Sequence, residues 1–215
     1  MYQGQKLKNQ NGVEVLLFPI DEMYITQGEN GSLSHSLAMD FVGWSNANGQ
    51  ISSYPFYSPC TLVCVQKNYN NGQAYIIYNS KNDVLRADGT TGKISIVIMH
   101  DNNPLYNVGD IVPQGQILGH TGTAGYVTGD HTHFNVANGE YTGWESLGNG
   151  FYELINSIHL YDAFYVNDTI LYNDYGYNWK TYNGGVEPPK PPIKKKKAKK
   201  FKWQIYTNYY KSIRR

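Results

Sequence analysis

The sequence predicts an all-β protein: a mainly antiparallel β-sheet curled into an open, barrel-like sandwich, with a short helix at most and an extended C-terminal tail. Three observations lead there. Among the 215 residues Tyr (20) and Gly (22) are abundant, while charged residues make up only 16%; Tyr favours strands and Gly favours turns. Short β-branched and aromatic runs recur along the chain with turn signals between them, the spacing of an antiparallel sheet. From Gly184 the composition changes abruptly to Pro and then Lys.

Taken in order, residues 14–26 read as a first strand and a turn, and a Gly/Asn/Ser-rich loop from Gln27 to Ser34 leads into His35. Asp40-Phe-Val-Gly-Trp44 reads as a strand and Asn46 to Ser53 as a loop. Further strands are expected at 61–66, 74–78, 82–86, 93–99, 116–119 and 132–136, set off by turn signals such as Asn70-Asn-Gly72, Asp88-Gly89 and Pro113-Gln-Gly115. The only helix expected is short, around Phe151 to Ser157, and the stretch 138–183 extends or caps the sheet. One domain over 1–183, in a chain with 40% hydrophobic residues, is large enough to bury a core. Residues 184–215 form an extended Pro-rich linker and a basic, aromatic tail.

Charge is divided unevenly. Of the 18 Lys and Arg, 11 lie from Lys190 onward with no acid among them, so residues 1–189 keep 7 against all 17 acidic residues, a net of −10. Such a tail is suited to meeting a polyanion or to folding onto its own body. Cys60 and Cys64, four residues apart on an expected strand, would have Cα atoms about 13 Å apart, too far for a disulfide, which needs less than ~7 Å. They read as buried thiols. The start, Met1-Tyr-Gln-Gly-Gln-Lys6, lacks the apolar segment of a secretory leader, and no run approaches the ~18 apolar residues of a membrane span, so the chain reads as made in the cytoplasm and soluble.

Six histidines are the rare residues that carry chemistry. His35 and Asp40 follow the Gly-rich loop and offer a nitrogen and a carboxylate. In His131-Thr-His133, positions i and i+2 of a strand, both rings point to one face. His100 ends an apolar run, where a strand presents a side chain at a cleft rim. Each feature alone is commonplace: an isolated His-x-His on a strand is more often surface or core than a ligand.

Their order is more specific. Val108-Gly-Asp-Ile-Val-Pro-Gln-Gly-Gln-Ile-Leu-Gly119, then Thr121-Gly122, then Thr128-Gly-Asp-His-Thr-His-Phe134 resembles the pattern of the lysostaphin/LytM family of peptidoglycan endopeptidases, and the likeness covers about residues 14–137. The resemblance implies a groove holding one Zn2+ bound by His35, Asp40 and His133, with His100 and His131 as the catalytic histidines. Two His and one Asp leave a fourth position open, as catalytic rather than structural zinc requires. Three departures stand out: four residues separate His35 from Asp40 where three are usual, Ile98-Met99-His100 replaces a Tyr-x-His, and Asn135 replaces a Glu. The family likeness also implies action on the cell wall, reached through a phage particle (tail) or release at lysis. A structural phage tail-tip component that keeps the fold is the alternative.

Four further residues are candidates for lining the substrate groove: His120 in Leu-Gly-His-Thr-Gly, and Tyr126, Tyr141 and Trp144 flanking the His-x-His element. His159 falls outside the matched region and reads as structural. The basic tail has three readings: attraction to anionic wall polymers, a solvated tail docking a partner such as a phage tail protein, and, least favoured, nucleic-acid binding.

Overall fold

The computed structural model describes residues 1–32 and 34–184. The linker and tail beyond Gly184, with the readings attached to them, lie outside the described residues. Pro19 separates β1 (Glu14–Val15) from β2 (Glu22–Gln27). β3 (Met39–Ser45) turns back as β4 (Gly49–Ile51), and β5 (Pro55–Tyr57) precedes β6 (Leu62–Asn68) and β7 (Tyr75–Ser80). The short strands β8 (Val84–Leu85) and β9 (Thr91–Gly92) lead into β10 (Ile94–Met99). Next come β11 (Ile111–Val112), β12 (Ile117–His120) and β13 (Thr132–Asn138), then the hairpin of β14 (Trp144–Gly148) and β15 (Phe151–Leu154). β16 (Ser157–Ile158), α1 (Leu160–Ala163) and β17 (Ile170–Asn173) complete the series.

The all-β expectation holds. Ten strands join in one sheet of order β11-β6-β7-β10-β13-β3-β2-β17, with β16 beside β13 and β4 beside β3, and the path ends at β11 and β17 without closing into a barrel. Every pairing in it is antiparallel except that of β17 with β2. The two faces are distinct because side chains alternate along a strand. On β10, Ile94, Ile96 and Ile98 enter the main core with Phe18, Phe41, Phe134 and Phe164. Val97 faces the other way and packs with Ile77, Ala137 and Leu154. Cys60 and Cys64 are unpaired and buried in the main core, as their spacing required.

Two local expectations are corrected. Residues 151–157 are not helical: they form β15 and β16, and the helix is a single turn at Leu160–Ala163. Asn149 and Gly150 both take positive φ (52° and 83°), the two-residue hairpin turn for which Asn-Gly is the strongest short signal, and Phe151 and Tyr152 pair with the preceding strand. The expected loop 46–53 likewise contains β4, which pairs with the end of β3.

Asn135, where the family pattern carries Glu, has a structural role here. It is fully buried. Its Oδ1 accepts from Leu154 N–H and Ser157 Oγ–H, both at 3.0 Å, and its Nδ2 donates to Leu37 O at 3.4 Å. One side chain thus ties β13 to β15, to β16 and to the segment before β3. Asn135→Ala should lower unfolding free energy by about 2–3 kcal/mol, since it strands buried partners without hydrogen bonds. A chemical denaturation midpoint unchanged from wild type would refute this role.

Candidate metal centre

The centre is built on one cross-strand row of the sheet. On the face away from the main core, Gln27 of β2 lies opposite Asp40 of β3, Asp40 opposite His133 of β13, His133 opposite Met99 of β10, and Met99 opposite Tyr75 of β7. Phe41 and Phe134, the next residues on their strands, point into the core and touch each other (centroids 5.6 Å). Their burial fixes the register, because a one-residue slip would turn Asp40 or His133 inward.

Asp40 is the focus. Its Oδ1 lies 2.9 Å from His35 Nε2 and 3.1 Å from His133 Nδ1, and its Oδ2 lies 3.5 Å from His131 Nε2. Burial acts to raise its pKa, but hydrogen bonding and charge attraction from His133 and His35 outweigh it and hold the carboxyl well below the usual carboxylate range. Burial lowers the His133 pKa, against the hydrogen bond and charge of Asp40, and so keeps that ring toward its neutral form. Donor atoms of His35, Asp40 and His133 all lie within 4.8 Å of one another.

His35 reaches Asp40 despite the long spacing because its loop is folded tightly. His35 N–H donates to Ser32 O, Leu37 N–H is held by the buried Glu153 carboxylate at 3.1 Å, and Gln27, itself opposite Asp40, places its amide against His35 Nδ1. Ser34 Oγ is 2.8 Å from the same Nδ1. Although close to Asp40, the buried His35 Nε2 has no aligned hydrogen-bond partner, which suits an atom that would face a cation. Two imidazoles and a carboxylate, with the His35 ring held from behind by Gln27 and Ser34, are a donor set that fits zinc.

Two more imidazoles flank the cluster. His100 and His131 rings lie 4.7 Å apart, and His100 is 6.4 Å from the His133 ring. In each, Nδ1 sits 2.9 Å from a carbonyl oxygen, Ala124 O for His100 and Gly129 O for His131. A carbonyl can only accept, so Nδ1 carries the proton and Nε2 keeps its lone pair. Burial pushes the His100 pKa down to about 4. His100 also has φ +78°, a left-handed backbone that costs a non-Gly residue about 1–3 kcal/mol and persists only where surroundings impose it. Here they do: His100 N–H donates to Ala74 O, and His100 O accepts from Ala124 N–H.

Gly122 ties the two rings together, and the sequence offered it only as part of a Thr-Gly turn. Its N–H and C=O both bond to the His131 backbone, at 2.9 and 3.1 Å, and a Cβ on it would come 2.2 Å from His100 O. Asp130, also missed, anchors the same loop: it accepts from Thr121 Oγ–H, Ser53 N–H and, at its carbonyl, Gln50 Nε2.

The groove candidates divide. Tyr141 and Trp144 pack on the same face of the sheet as the cluster through Tyr75, whose ring is 5.3 Å from Trp144. Tyr126 is 87% exposed and lies over Gly72, two residues before Ala74, whose carbonyl accepts from His100 N–H. His120 ends β12, with its backbone N–H on Asp101, and among the described residues its ring makes none of the ring contacts that link His35, His100, His131 and His133.

No protein-family profile matches the chain. Over 177 residues, 81% of its length, it is 41% identical to the protein named Morphogenesis protein 1 of Bacillus phage B103, and it spans 46%, about half, of that relative's length. Among solved structures it is similar to the catalytic domain of the antimicrobial peptidase lysostaphin from Staphylococcus simulans, with 21% identity, 61% of this chain and 85% of that chain covered, and a TM-score of 0.39. It is also similar to the M23 metalloprotease pseudoalterin, of deep-sea source, with 17% identity, 82% and 91% covered, and a TM-score of 0.44. No helix among the described residues is long and apolar enough to cross a membrane.

Gly122→Ala should move both flanking rings and cost about 1–3 kcal/mol, the usual penalty of overpacking. The NMR ring resonances of His100 and His131 should shift while those of His35 and His133 stay. Four unmoved spectra with an unchanged melting temperature would remove Gly122 from this role.

Proposed function

We propose that the chain is a phage-encoded, zinc-dependent endopeptidase that hydrolyses peptide cross-bridges or stem peptides of bacterial peptidoglycan, as a virion-associated wall hydrolase or a lysin released at lysis. The observation that carries the reading is the convergence of donor atoms from His35, Asp40 and His133 beside two further imidazoles whose Nε2 atoms are left as lone pairs. Zinc bound there would supply Lewis acidity, lowering the pKa of water towards ~7 and polarising the scissile carbonyl.

The chain's own residues supply the proton chemistry. His100, held neutral by burial with a pKa of about 4, is a poor proton acceptor at neutral pH. Proton abstraction therefore falls to His131, whose Nε2 faces Asp40 at 3.5 Å. His100, in ring contact with His131, completes the pair as stabiliser or proton donor once its Nε2 has taken up a proton. The bond to Gly129 O holds His131 in the tautomer a base requires, and the bond to Ala124 O orients the His100 ring. Tyr126, Tyr141 and Trp144 are assigned to the groove walls. The tail from 184 onward is assigned to binding, through attraction of its 11 cations to anionic wall polymers or through phage tail partners. A second reading, a structural or attachment part of the virion with little hydrolysis, is favoured by the name of the phage relative, a morphogenesis protein.

Elemental analysis should find about one zinc per chain, most of it lost in His133→Ala and Asp40→Ala. His100→Ala and His131→Ala should keep zinc and the fold but lose on the order of 10²–10⁴ of wall-cutting rate. Metal-free wild type that leaves wall suspensions turbid would support the structural reading instead. Near-wild-type hydrolysis by either flanking variant would remove that histidine from its role.

A further inference from the structure

The cross-strand row that carries Asp40 and His133 does not stop at the donor cluster. It continues to Met99, directly opposite His133, and then to Tyr75, directly opposite Met99. Side chains so paired are immediate neighbours on one face of the sheet. Neighbouring strands lie about 4.8 Å apart, which puts Met99 about 5 Å and Tyr75 about 10 Å along the row from His133. Both side chains are partly exposed. In the other direction the row meets Gln27, whose amide lies against the His35 ring. The row is therefore polar at one end, apolar at the other, and holds the donor cluster between.

Two banks flank this row. On one side the parallel row of Asn135, Val97 and Ile77 is fully buried beneath the β14–β15 hairpin: Leu154 packs with Val97 and Ile77, and its N–H donates to Asn135 Oδ1. Trp144 of the same hairpin stands edge-on to Tyr75, with planes inclined by 77°. On the other side β10 ends. His100 would point to the core in a continuing strand, but its left-handed φ breaks the alternation, and its ring comes to 6.4 Å from that of His133. Farther along the same bank, Gly125 lies against Ala74, the residue before Tyr75, and Tyr126 lies over Gly72. The banks leave a channel that crosses the strands along the row, from Gln27 past the cluster to Tyr75.

We propose that Met99 and Tyr75 form a specificity subsite that receives an apolar side chain of the substrate peptide, on one side of the cut bond and within about three residues of it. This rests on the peptidase reading above and adds the class of side chain selected. A peptide cut in its interior leaves the cluster in both directions, so one arm lies on the apolar end of the channel. An extended chain advances about 3.3 Å per residue, which brings its first or second residue over Met99 and its third over Tyr75. A thioether beside an aromatic edge offers dispersion and adapts to shape, but gives a charged side chain nothing to pair with. The Tyr75 hydroxyl does not change this, because it is already engaged by Gln66 Nε2 at 3.0 Å.

The test uses the zinc-loaded full chain and synthetic peptides built on the stem and bridge of cell-wall peptide. Each position up to three residues on either side of the cut bond is replaced in turn by Gly, Leu, Glu and Lys. At one of these positions wild type should favour Leu over Glu and over Lys by about tenfold in kcat/KM, the discrimination a fitted apolar pocket provides. The readout is that ratio, which a general loss of activity does not move. Met99→Lys should reverse the Leu-over-Glu ratio at that position and no other, Tyr75→Ser should flatten it, and Met99→Leu should keep it. A wild type without preference at any position overturns the proposal. So does a Met99→Lys variant that slows every peptide alike with its ratios intact, since that is a structural effect. If wild type cuts no peptide, the peptidase reading fails separately, and calorimetric binding of the Leu and Glu peptides decides the subsite. About tenfold tighter binding of a Leu peptide, reversed in Met99→Lys, supports it, and equal affinities overturn it.

Discussion

One buried carboxylate organises the face of the sheet that carries the histidine cluster. Asp40 sits on the sheet among His35, His131 and His133, with its carboxyl held in the charged form, against burial, by hydrogen bonding and charge attraction from His133 and His35. A carboxylate so far from solvent is tolerated only when paired and hydrogen-bonded, so the partners must arrive within narrow limits from three parts of the chain. His133 arrives through the β3–β13 register, which the Phe41–Phe134 contact on the other face keeps in place. Packing on one side of the sheet thereby sets electrostatics on the other.

The loops answer to the same constraint. His35 comes from an irregular segment that would wander without Gln27, Ser34 and the Leu37–Glu153 contact. The segment is further buttressed by tyrosines. Tyr161, Tyr177 and Tyr175 stack in succession, and Gly28 lies so close beneath Tyr177 that a Cβ there would come 2.5 Å from its hydroxyl oxygen. Glu29 joins this support by accepting from Leu160 N–H and meeting His159, which gives His159 the structural role expected of it. Part of the chain's high Tyr content is therefore accounted for by scaffolding behind the centre.

On the opposite side of the cluster the support is backbone. His100 adopts its left-handed conformation because Ala74, Ala124 and the close approach of Gly122 leave it no alternative. The strain sits beside Gly122, the one residue that also pairs with His131. The two flanking imidazoles consequently form a unit held by main-chain contacts and by the bonds from their Nδ1 atoms to the Ala124 and Gly129 carbonyls.

What the sequence determined by itself was local and periodic. Strand alternation put His131 and His133 on one face, and the four-residue separation of Cys60 and Cys64 ruled out a disulfide; the donor set His35, Asp40 and His133 was named only through the resemblance of the motif order to a known family. The first two follow from backbone geometry that acts within a few residues. The tertiary structure decided the rest. It brought Asp40 opposite His133 across 93 residues, folded the His35 loop to absorb its longer spacing, made residues 151–154 a strand, and turned Asn135 into a structural anchor. It also set Met99 and Tyr75 in line with His133. Such outcomes depend on register and on which surfaces cover one another, and burial of the core fixes both only when the whole sheet has formed.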